Sequence, residues 1–357
     1  MKRRQFITLI GGAAAWPLAA RAQQGERMRR IGLLMATAEN DAESQHRLAA
    51  LREGLQKLGW TEGRNLHSEY CWGANDLDRM RTCAEELAAL KPEVIFAAPT
   101  SALAAMHRAT STIPIVFAQV ADPVANGLVA SNSHPGGNIT GFAMYEYAVG
   151  LKWVELLKQI APQVTRIAVL YDPEQPAAAG YVAAIEAAAR SFSVRVVLGA
   201  VRDAAAIERT IQAFAGEPNG GLILPPTAFT VAHRALIISL AVRYRLSNIF
   251  AHRYNVVDGG LASYGVDNID LYRRAAEYVD RILKGEKPGD LPIQFATKFE
   301  LVINLKTARA LGLEIPIPVL ARTDEVIEWR AASSSRCSAA PLWCGRLRRA
   351  RSRRECL

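Results

Sequence analysis

Short apolar runs alternate with amphipathic stretches along most of the chain, and this pattern constrains the fold more than any other feature. Residues 31–36, 93–97 and 114–120 are typical of buried strands, and residues 41–58 place several leucines on one helical face. Strands separated by helical segments predict right-handed βαβ units, in which helices cover both faces of a parallel sheet. The first part of the chain is therefore predicted to form an α/β lobe.

The same alternation starts again after residue 160. Residues 166–171, 194–201 and 221–224 are typical of strands, with helical patterns between them. Two such series predict two Rossmann-like lobes with parallel sheets. The elements from residue 261 onward are too few for a third domain, so we expect them to complete both lobes through several crossings, which would form a hinge. The predicted limits are 23–143 with 264–290 for lobe 1, and 144–263 with 291–328 for lobe 2.

Most of the positive charge lies at the two ends of the chain. The net charge is +9 at pH 7; residues 1–22 carry +4 and residues 329–357 carry +7, so the segment between them carries −2. A nucleic-acid-binding protein would carry a basic surface on its folded part. We therefore expect no nucleic acid among the partners.

Residues 1–22 are typical of an export signal. Lys2-Arg3-Arg4 precedes an apolar stretch that is too short to span a bilayer, and Ala20-Arg21-Ala22 is typical of a cleavage site. Residues 3–7 match the twin-arginine motif, and a general secretory signal with two arginines is the alternative. We predict cleavage near Ala22 and a mature protein in the periplasm.

The segment from residue 329 to the end differs from the rest of the chain. It is rich in Arg, Ser and Ala and lacks apolar periodicity, so we predict a basic, disordered tail. A basic docking arm or a metal site is the alternative, but its cysteines match no paired metal-binding spacing. Whether the tail is genuine or a readthrough product stays open, as does a disulfide between Cys71 and Cys83.

Motifs of catalysis and of nucleotide binding are missing from the sequence. No glycine-rich phosphate-binding motif follows a predicted strand, and neither H-E-x-x-H nor G-x-S-x-G occurs. The six histidines, His252 among them, lack acidic or nucleophilic partners at meaningful spacing, so each is interpreted as a surface or helix residue. We predict no catalytic residue, no metal, no cofactor and no enzymatic activity.

Polar residues follow the predicted strands where helices are expected to begin. They are Thr37, Thr100 with Ser101, Asp122, Asp172 and Thr227. In open α/β sheets these strand ends line the ligand crevice, and helix N-termini there can hold a carboxylate. For each residue a plain helix cap is the alternative. Two further candidates are Tyr264, as an apolar wall, and Asp267, as a partner for an amine or hydroxyl of the ligand or as another cap.

Several longer motifs resemble one family. They are G-L-Q-K-L-G-W-T-E-G-R-N, I-P-I-V-F-A-Q-V-A-D-P-V, P-G-G-N-I-T-G-F and T-K-F-E-L-V-I-N-L-K-T-A-R-A-L-G-L. Through these motifs the chain, up to about residue 328, resembles ABC-transporter substrate-binding proteins of the tryptophan/tyrosine-binding-like type. The resemblance implies a type-1 periplasmic binding protein architecture with three hinge crossovers and a ligand in the cleft. It implies ligand contacts at Thr100, Ser101, Asp122, Asp172, Glu174, Gln175, Thr227, Tyr264 and Asp267.

The resemblance also implies a function. The chain is predicted to be a monomeric solute receptor of an ABC importer that passes a small, carboxylate-bearing or aromatic molecule to a membrane permease. Amino-acid-binding relatives often have an acidic or amide residue where this chain has Pro226-Thr227-Ala228, which argues against an α-amino acid. A sensory protein that signals to a membrane receptor is one alternative, and a periplasmic hydrolase or isomerase is another. The identity of the ligand stays open.

Overall fold

The computed structural model describes residues 28–328. Residues 28–327 fall in one unit, and Glu328 begins a second. The predicted export signal at residues 1–22 and the predicted tail at residues 329–357 lie outside the described residues. Within the described part, no helix is both long enough and apolar enough to cross a membrane.

The first sheet is parallel throughout. Its strands are β1 (Arg29–Met35), β2 (Leu66–Trp72), β3 (Val94–Ala98), β4 (Ile115–Val120), β5 (Ile139–Ala143) and β11 (Gln294–Phe295). They lie in the order β11-β5-β4-β3-β1-β2, and every pairing is parallel. The three central strands β3, β4 and β5 are buried along their whole length. Continuous apolar runs are expected there, because helices cover both faces of the sheet.

The second sheet is parallel apart from one pairing. Its strands are β6 (Arg166–Tyr171), β7 (Arg195–Ala200), β8 (Gly220–Leu224), β9 (Ser247–Phe250), β10 (Ala262–Val266), β12 (Phe299–Asn304) and β13 (Glu325–Ile327). They lie in the order β13-β12-β10-β9-β8-β6-β7. Only β10 and β12 pair in antiparallel fashion. The two predicted series of βαβ units are therefore present as two separate sheets.

Twelve helices accompany the strands of the described chain. They are α1 (Ala42–Lys57), α2 (Leu77–Ala89), α3 (Thr100–Ala109), α4 (Val149–Ile160), α5 (Ala178–Ser191), α6 (Ala204–Ala215), α7 (Ala228–Ala232), α8 (Arg234–Arg243), α9 (Arg253–Val257), α10 (Asn268–Leu283), α11 (Leu305–Ala310) and α12 (Ile317–Leu320). Several of these helices have an aspartate as the N-cap residue at their N-terminus. The carboxylates of Asp41, Asp76, Asp203 and Asp267 accept hydrogen bonds from backbone N–H groups of the following turn, as N-cap residues do.

The chain passes between the two sheets three times. It leaves the first sheet after β5, returns after β10 through α10, and leaves it again after β11. Helix α10 packs on α1 and on strands β4 and β5 of the first sheet. The close contact with α1 requires Gly54, where a Cβ atom would lie 2.7 Å from the Cβ of Ala276. The three predicted crossovers are confirmed.

The predicted lobe limits stay a prediction, and the sheets divide the chain slightly differently at two places. Strand β10 stays in the second sheet up to Val266, whereas lobe 1 was expected to resume at residue 264. Strand β11 pairs with β5 of the first sheet, whereas lobe 2 was expected from residue 291. A two-residue strand shows no periodicity that a sequence pattern could reveal.

The disulfide question left open by the sequence has an answer in the structure. Cys71 and Cys83 are bonded, with their Cα atoms 5.6 Å apart. The bond joins β2, an edge strand of the first sheet, to the neighbouring helix α2.

Candidate functional site

Residues from both halves of the molecule meet at a small cavity of about 20 Å³, which we call the strand-end pocket. Thr37 and Pro99 follow strands of the first sheet, and Pro226 and Thr227 follow β8 of the second. The other lining residues are Met35, Ser44, Arg47, Ala98, Gln119, Val231 and Tyr272. A cavity of this size has room for about one water molecule. The two lobes are therefore closed on each other here.

A larger cavity of about 160 Å³, which we call the polar pocket, also lies between the lobes. It shares Arg47 with the strand-end pocket. Its lining residues come from α1, from the segment after β9, from the crossover into α10, and from β12. They are Glu43, His46, Arg47, His252, Arg253, Tyr254, Val266, Asp267, Asn268, Ile269 and Glu300. Charged and polar side chains dominate this set, so the pocket suits a polar ligand group.

Arg47 is a charged residue on the buried face of α1, only 3% exposed. Its Nη2 donates to Ser44 Oγ at 2.9 Å, and that hydroxyl lies 2.6 Å from Thr37 Oγ1. Burial alone would lower the pKa of Arg47, but Tyr272, Tyr254, Asp41 and Glu43 together raise it, so the guanidinium stays charged. Its Nε atom has no hydrogen-bond partner among the described residues.

The negative charge closest to Arg47 is already engaged elsewhere. Asp41 Oδ1 lies 3.9 Å from Arg47 Nη2 and accepts a hydrogen bond from the Ser44 N–H at 2.8 Å. The other oxygen of Asp41 lies 3.5 Å from Nη1 of Arg234, which also pairs with Asp258 at 3.2 Å. Because Arg234 lies on α8, its bond to Asp41 links the two lobes across the cleft. Arg47 therefore shares its nearest counter-ion, Asp41, with Arg234.

His252 lies next to Arg47 and is also 3% exposed. Its Nδ1 lies 3.1 Å from Asn268 Nδ2. The amide nitrogen Nδ2 can only donate, so His252 Nδ1 accepts, and the ring proton is assigned to Nε2. Burial, with a further contribution from Arg47, lowers the pKa of His252 to about 3. The ring is therefore neutral near pH 7 and presents an Nε2–H donor that has no partner within residues 28–328.

Tyr254 and Asn268 bring two more polar atoms to the polar pocket. The Tyr254 ring stacks on His252, with centroids 5.1 Å apart, and the guanidinium carbon of Arg234 lies 5.5 Å from the centroid of the Tyr254 ring. Burial raises the pKa of Tyr254, which keeps its hydroxyl protonated. Neither the Tyr254 hydroxyl nor Asn268 Oδ1 has a partner in the described chain. Buried polar atoms are normally hydrogen-bonded, so their accumulation at one pocket is informative.

A cluster of aromatic side chains lies at the first crossover. The rings of Tyr145 and Tyr147 pack edge to face on Tyr181, and Trp153 also contacts Tyr181. Burial raises the pKa of Tyr145 and of Tyr181, and that of Tyr147 to about 12. The hydroxyls of Tyr145 and Tyr181 are buried without partners among the residues described. The cluster therefore combines an apolar surface with polar atoms.

Three of the sequence-predicted site residues line the inter-lobe pockets. Thr37 and Thr227 lie in the strand-end pocket, and Asp267 lies in the polar pocket. Thr227 also begins α7, where it forms a capping box with Thr230. A fourth residue, Ser101, is 5% exposed and its hydroxyl has no partner in the described part of the chain.

The other predicted site residues line neither pocket, and most of them make local contacts. Thr100 Oγ1 accepts from the Ala121 N–H at 3.1 Å, and Asp122 accepts from the Ala125 N–H at 3.1 Å. Asp172 accepts from the Glu174 N–H at 3.0 Å and faces the amide of Gln175 at 3.4 Å. The Glu174 carboxylate pairs with Arg202, and Tyr264 stacks on Phe299. Their contact with a ligand stays a prediction.

The sequence patterns missed the groups around the polar pocket. The interpretation of His252 as a surface or helix residue is wrong, because the side chain is buried between the lobes. Arg47 and Asn268 are not among the predicted site residues, and Tyr254 was expected only as an apolar wall near the strand-end loops. One signal was available: Arg47 stands beside Leu48 in the apolar stripe of α1, where a charged residue needs an explanation.

Known proteins match the chain over most of its length. The family model described as "ABC transporter substrate binding protein" matches residues 34–327. A curated relative, the tyrosine-binding protein of Clostridioides difficile (strain R20291), is 27% identical over 262 residues, which cover 73% of this chain and 75% of that protein. Two solved structures are each 25% identical and cover 84% of this chain.

These two structures differ in their state. One is an ABC domain from Streptococcus pneumoniae in complex with L-Trp, covered over its full length, with a TM-score of 0.78. The other is a ligand-free, open substrate-binding protein from Clostridium difficile, covered over 99% of its length, with a TM-score of 0.61. The two structures have the same sequence identity to this chain and cover the same share of it. The higher TM-score of the L-Trp complex therefore favours a lobe arrangement like that of the complex. This agrees with the closed strand-end pocket.

Proposed function

The chain belongs to the family of ABC transporter substrate-binding proteins, and on that premise we propose that it is the solute receptor of an importer. In this proposal the receptor binds a small, carboxylate-bearing or aromatic molecule between its two lobes and presents the closed form to a membrane permease. It works as a monomer in the periplasm after cleavage near Ala22, and it changes no covalent bond of the solute.

The observation that carries the proposal is the set of buried polar atoms between the lobes. Arg47 comes from the first lobe, while His252 and Tyr254 come from the second, and each has a buried polar atom without a partner among residues 28–328. Leaving such an atom unsatisfied costs about 1–3 kcal/mol, and more for a charged group. A solute that satisfies several of them at once would stabilise the closed form relative to the open one.

Closure follows from this difference in affinity. A ligand shifts an equilibrium only as far as it binds one state better than the other. Arg47 and His252 lie on opposite lobes and come together only when the cleft is closed, so a solute that needs both binds the closed form preferentially. The pair of Asp41 with Arg234 adds a weak contact across the same cleft.

Both parts of the proposed ligand chemistry have support. The positive charge of the buried Arg47 favours a carboxylate. The names of the relatives, a tyrosine-binding protein and an L-Trp complex, point to aromatic solutes as well. At Thr227, where amino-acid-binding relatives often have an acidic or amide residue, the side chain is engaged with Thr230.

The proposal is tested by a thermal-shift screen of the mature protein. The compounds are aromatic amino acids, aromatic acids without an amino group, small aliphatic carboxylates, and neutral sugars as a control class. A solute at about 100 times its Kd stabilises the folded protein by about 2.7 kcal/mol, which raises the Tm measurably. We expect members of the acidic and aromatic classes to raise it. No shift with any class, or chemical conversion of a compound, would contradict the proposal.

A further inference from the structure

We propose that the polar pocket is a carboxylate subsite in which Arg47 and His252 bind the anionic end of the solute. The inference rests on the proposed function and deepens it, because it makes a carboxylate a requirement. It also assigns the carboxylate to a different place from the N-terminus of α3 at Thr100, one of the strand ends where the sequence patterns predict ligand binding.

The first step concerns charge. Arg47 is 3% exposed and charged, and the carboxylate nearest to it, Asp41, lies 3.9 Å away and is shared with Arg234. A buried charge is stable only when it is paired and hydrogen-bonded. Asp41 is shared and leaves the Nε–H of Arg47 unbonded, so a further anion would complete the pairing of the guanidinium in the closed form.

The second step concerns the other carboxylates of the polar pocket. Asp267 caps α10 through Oδ1, and Glu300 pairs with Lys298 at 2.9 Å. Glu43 is partly exposed and lies more than 4 Å from any Arg47 nitrogen, since the two form no salt bridge. None of the three satisfies Arg47 Nε, so the role of counter-ion stays open to a solute.

The third step concerns hydrogen-bond direction. His252 is held by Asn268 so that its Nε2–H is the free donor, and Arg47 Nε–H is a second free donor. Two N–H donors from residues that line one pocket, one of them charged, match the two oxygens of a carboxylate. The Tyr254 hydroxyl can donate as a third. Asn268 Oδ1 is the one free acceptor of the group, and it suits a neutral hydroxyl or amide on the solute.

The fourth step concerns the alternative site at Thr100. Helix α3 begins there, but the Thr100 hydroxyl already accepts from Ala121 N–H, and the strand-end pocket beside Pro99 measures only about 20 Å³. The polar pocket is about eight times larger. A carboxylate of a few atoms therefore fits the polar pocket in the closed form and does not fit the strand-end pocket.

The experiment compares matched acid and amide probes by calorimetry. The pairs are L-tyrosine with L-tyrosinamide, 4-hydroxyphenylacetate with its amide, and benzoate with benzamide. We expect the acid that binds best to have an affinity about 30-fold higher than that of its amide, because charge-assisted hydrogen bonds contribute about 1.5–3 kcal/mol. Arg47→Met should abolish this preference. Arg47→Lys should retain part of it, since lysine keeps the charge and loses the fixed N–H geometry.

Arg52→Met is the matched control. Arg52 is on the same helix, lines neither inter-lobe pocket, and stacks over Tyr70 at 5.0 Å from the ring centroid. It should leave the acid preference unchanged. Equal binding of acid and amide by the native protein, or an unchanged preference in Arg47→Met, overturns the inference and leaves the receptor function standing. If only neutral compounds bind in the thermal-shift screen, that result also overturns the inference and leaves the receptor function standing.

A second measurement needs no solute. If the charge of Arg47 requires an anion for closure, the native protein without solute is open in small-angle scattering, and Arg47→Met without solute is more compact. Thermal unfolding of the variant verifies that it folds. Equal scattering curves for the native protein and a folded Arg47→Met variant overturn the inference.

Discussion

The polar residues at the strand ends and the polar residues around the polar pocket differ in one respect. Thr100, Asp122 and Asp172 each have a hydrogen-bond partner within a few residues or on the neighbouring strand end. Arg47 and His252 each retain an unsatisfied N–H in the described chain. The bonds of the first group therefore stabilise the fold, while in our proposal a ligand satisfies the free donors of the second group. Unsatisfied buried donors thus add information about the site that position along the sequence does not contain.

The largest effect that would sharpen the comparison is a pH dependence from His252. Its pKa falls from 6.5 to about 3 on burial in the closed form. A state that exposes the ring takes up a proton below about pH 6.5, whereas the closed form does not. Solute affinity is therefore expected to be constant above pH 6.5 and to fall below it, by less than tenfold per pH unit, because a carboxylate that accepts from Nε2–H favours the protonated ring in the complex.

Calorimetry between pH 5.5 and 7.5 with an acid from the screen measures this dependence. His252→Gln should flatten the profile. His67→Gln is the control, because His67 is exposed and lines neither pocket. A profile that keeps its slope in His252→Gln would remove His252 from the ligand-binding group.

The next effect compares two adjacent residues. Thr100→Val removes the acceptor of the buried Ala121 N–H, so the free energy of unfolding should fall by about 1–3 kcal/mol with little change in affinity. Ser101→Ala removes a hydroxyl that has no partner in the described chain, so stability should change little. If Ser101 contacts the solute, affinity falls by about fivefold. Urea unfolding and calorimetry of both variants test the comparison, and a reversed pattern would break it.

The smallest effect concerns the ion pair across the cleft. Asp41→Asn keeps an oxygen to cap α1 but removes the charge that faces Arg234. A double-mutant cycle with Arg234→Gln should give a coupling of about 0.5 kcal/mol in solute affinity, and 1 M salt should abolish it. Arg195→Gln, which breaks an ion pair within the second lobe, is the control. A coupling of several kcal/mol would place Asp41 among the ligand-binding group.

The sequence predicted the architecture because the central strands carry their own signal. Strands β1, β3, β4 and β6 are continuous apolar runs, and the helices between them have clear apolar faces. Short or polar elements were missed, and so was the buried strand β5, whose five residues include Thr140 and Gly141. Strand β9 contains Ser247 and Asn248, and β13 has only three residues. Residues 229–244 have a pattern typical of one helix, but the structure divides them into α7 and α8 at His233.

The site was harder to predict than the fold, and for a physical reason. A cap residue such as Asp41 acts on a helix that follows it directly, so a local pattern reveals it. Arg47, His252 and Asn268 belong to three separate elements that meet only when the lobes close. Their spacing in sequence carries no periodic signal. The general position of the cleft followed from strand ends, but the residues that line its polar pocket did not.

The three crossings of the chain have a consequence for biosynthesis. Helix α10 covers strands β4 and β5 of the first sheet, yet it is translated after strands β6 to β10 of the second. A nascent chain therefore leaves part of an apolar sheet surface uncovered on the ribosome while the second half is being made. Domains usually fold in the order of their synthesis. Here the first sheet is completed only by residues 294–295 and the second only by residues 325–327, so we expect folding to be largely post-translational.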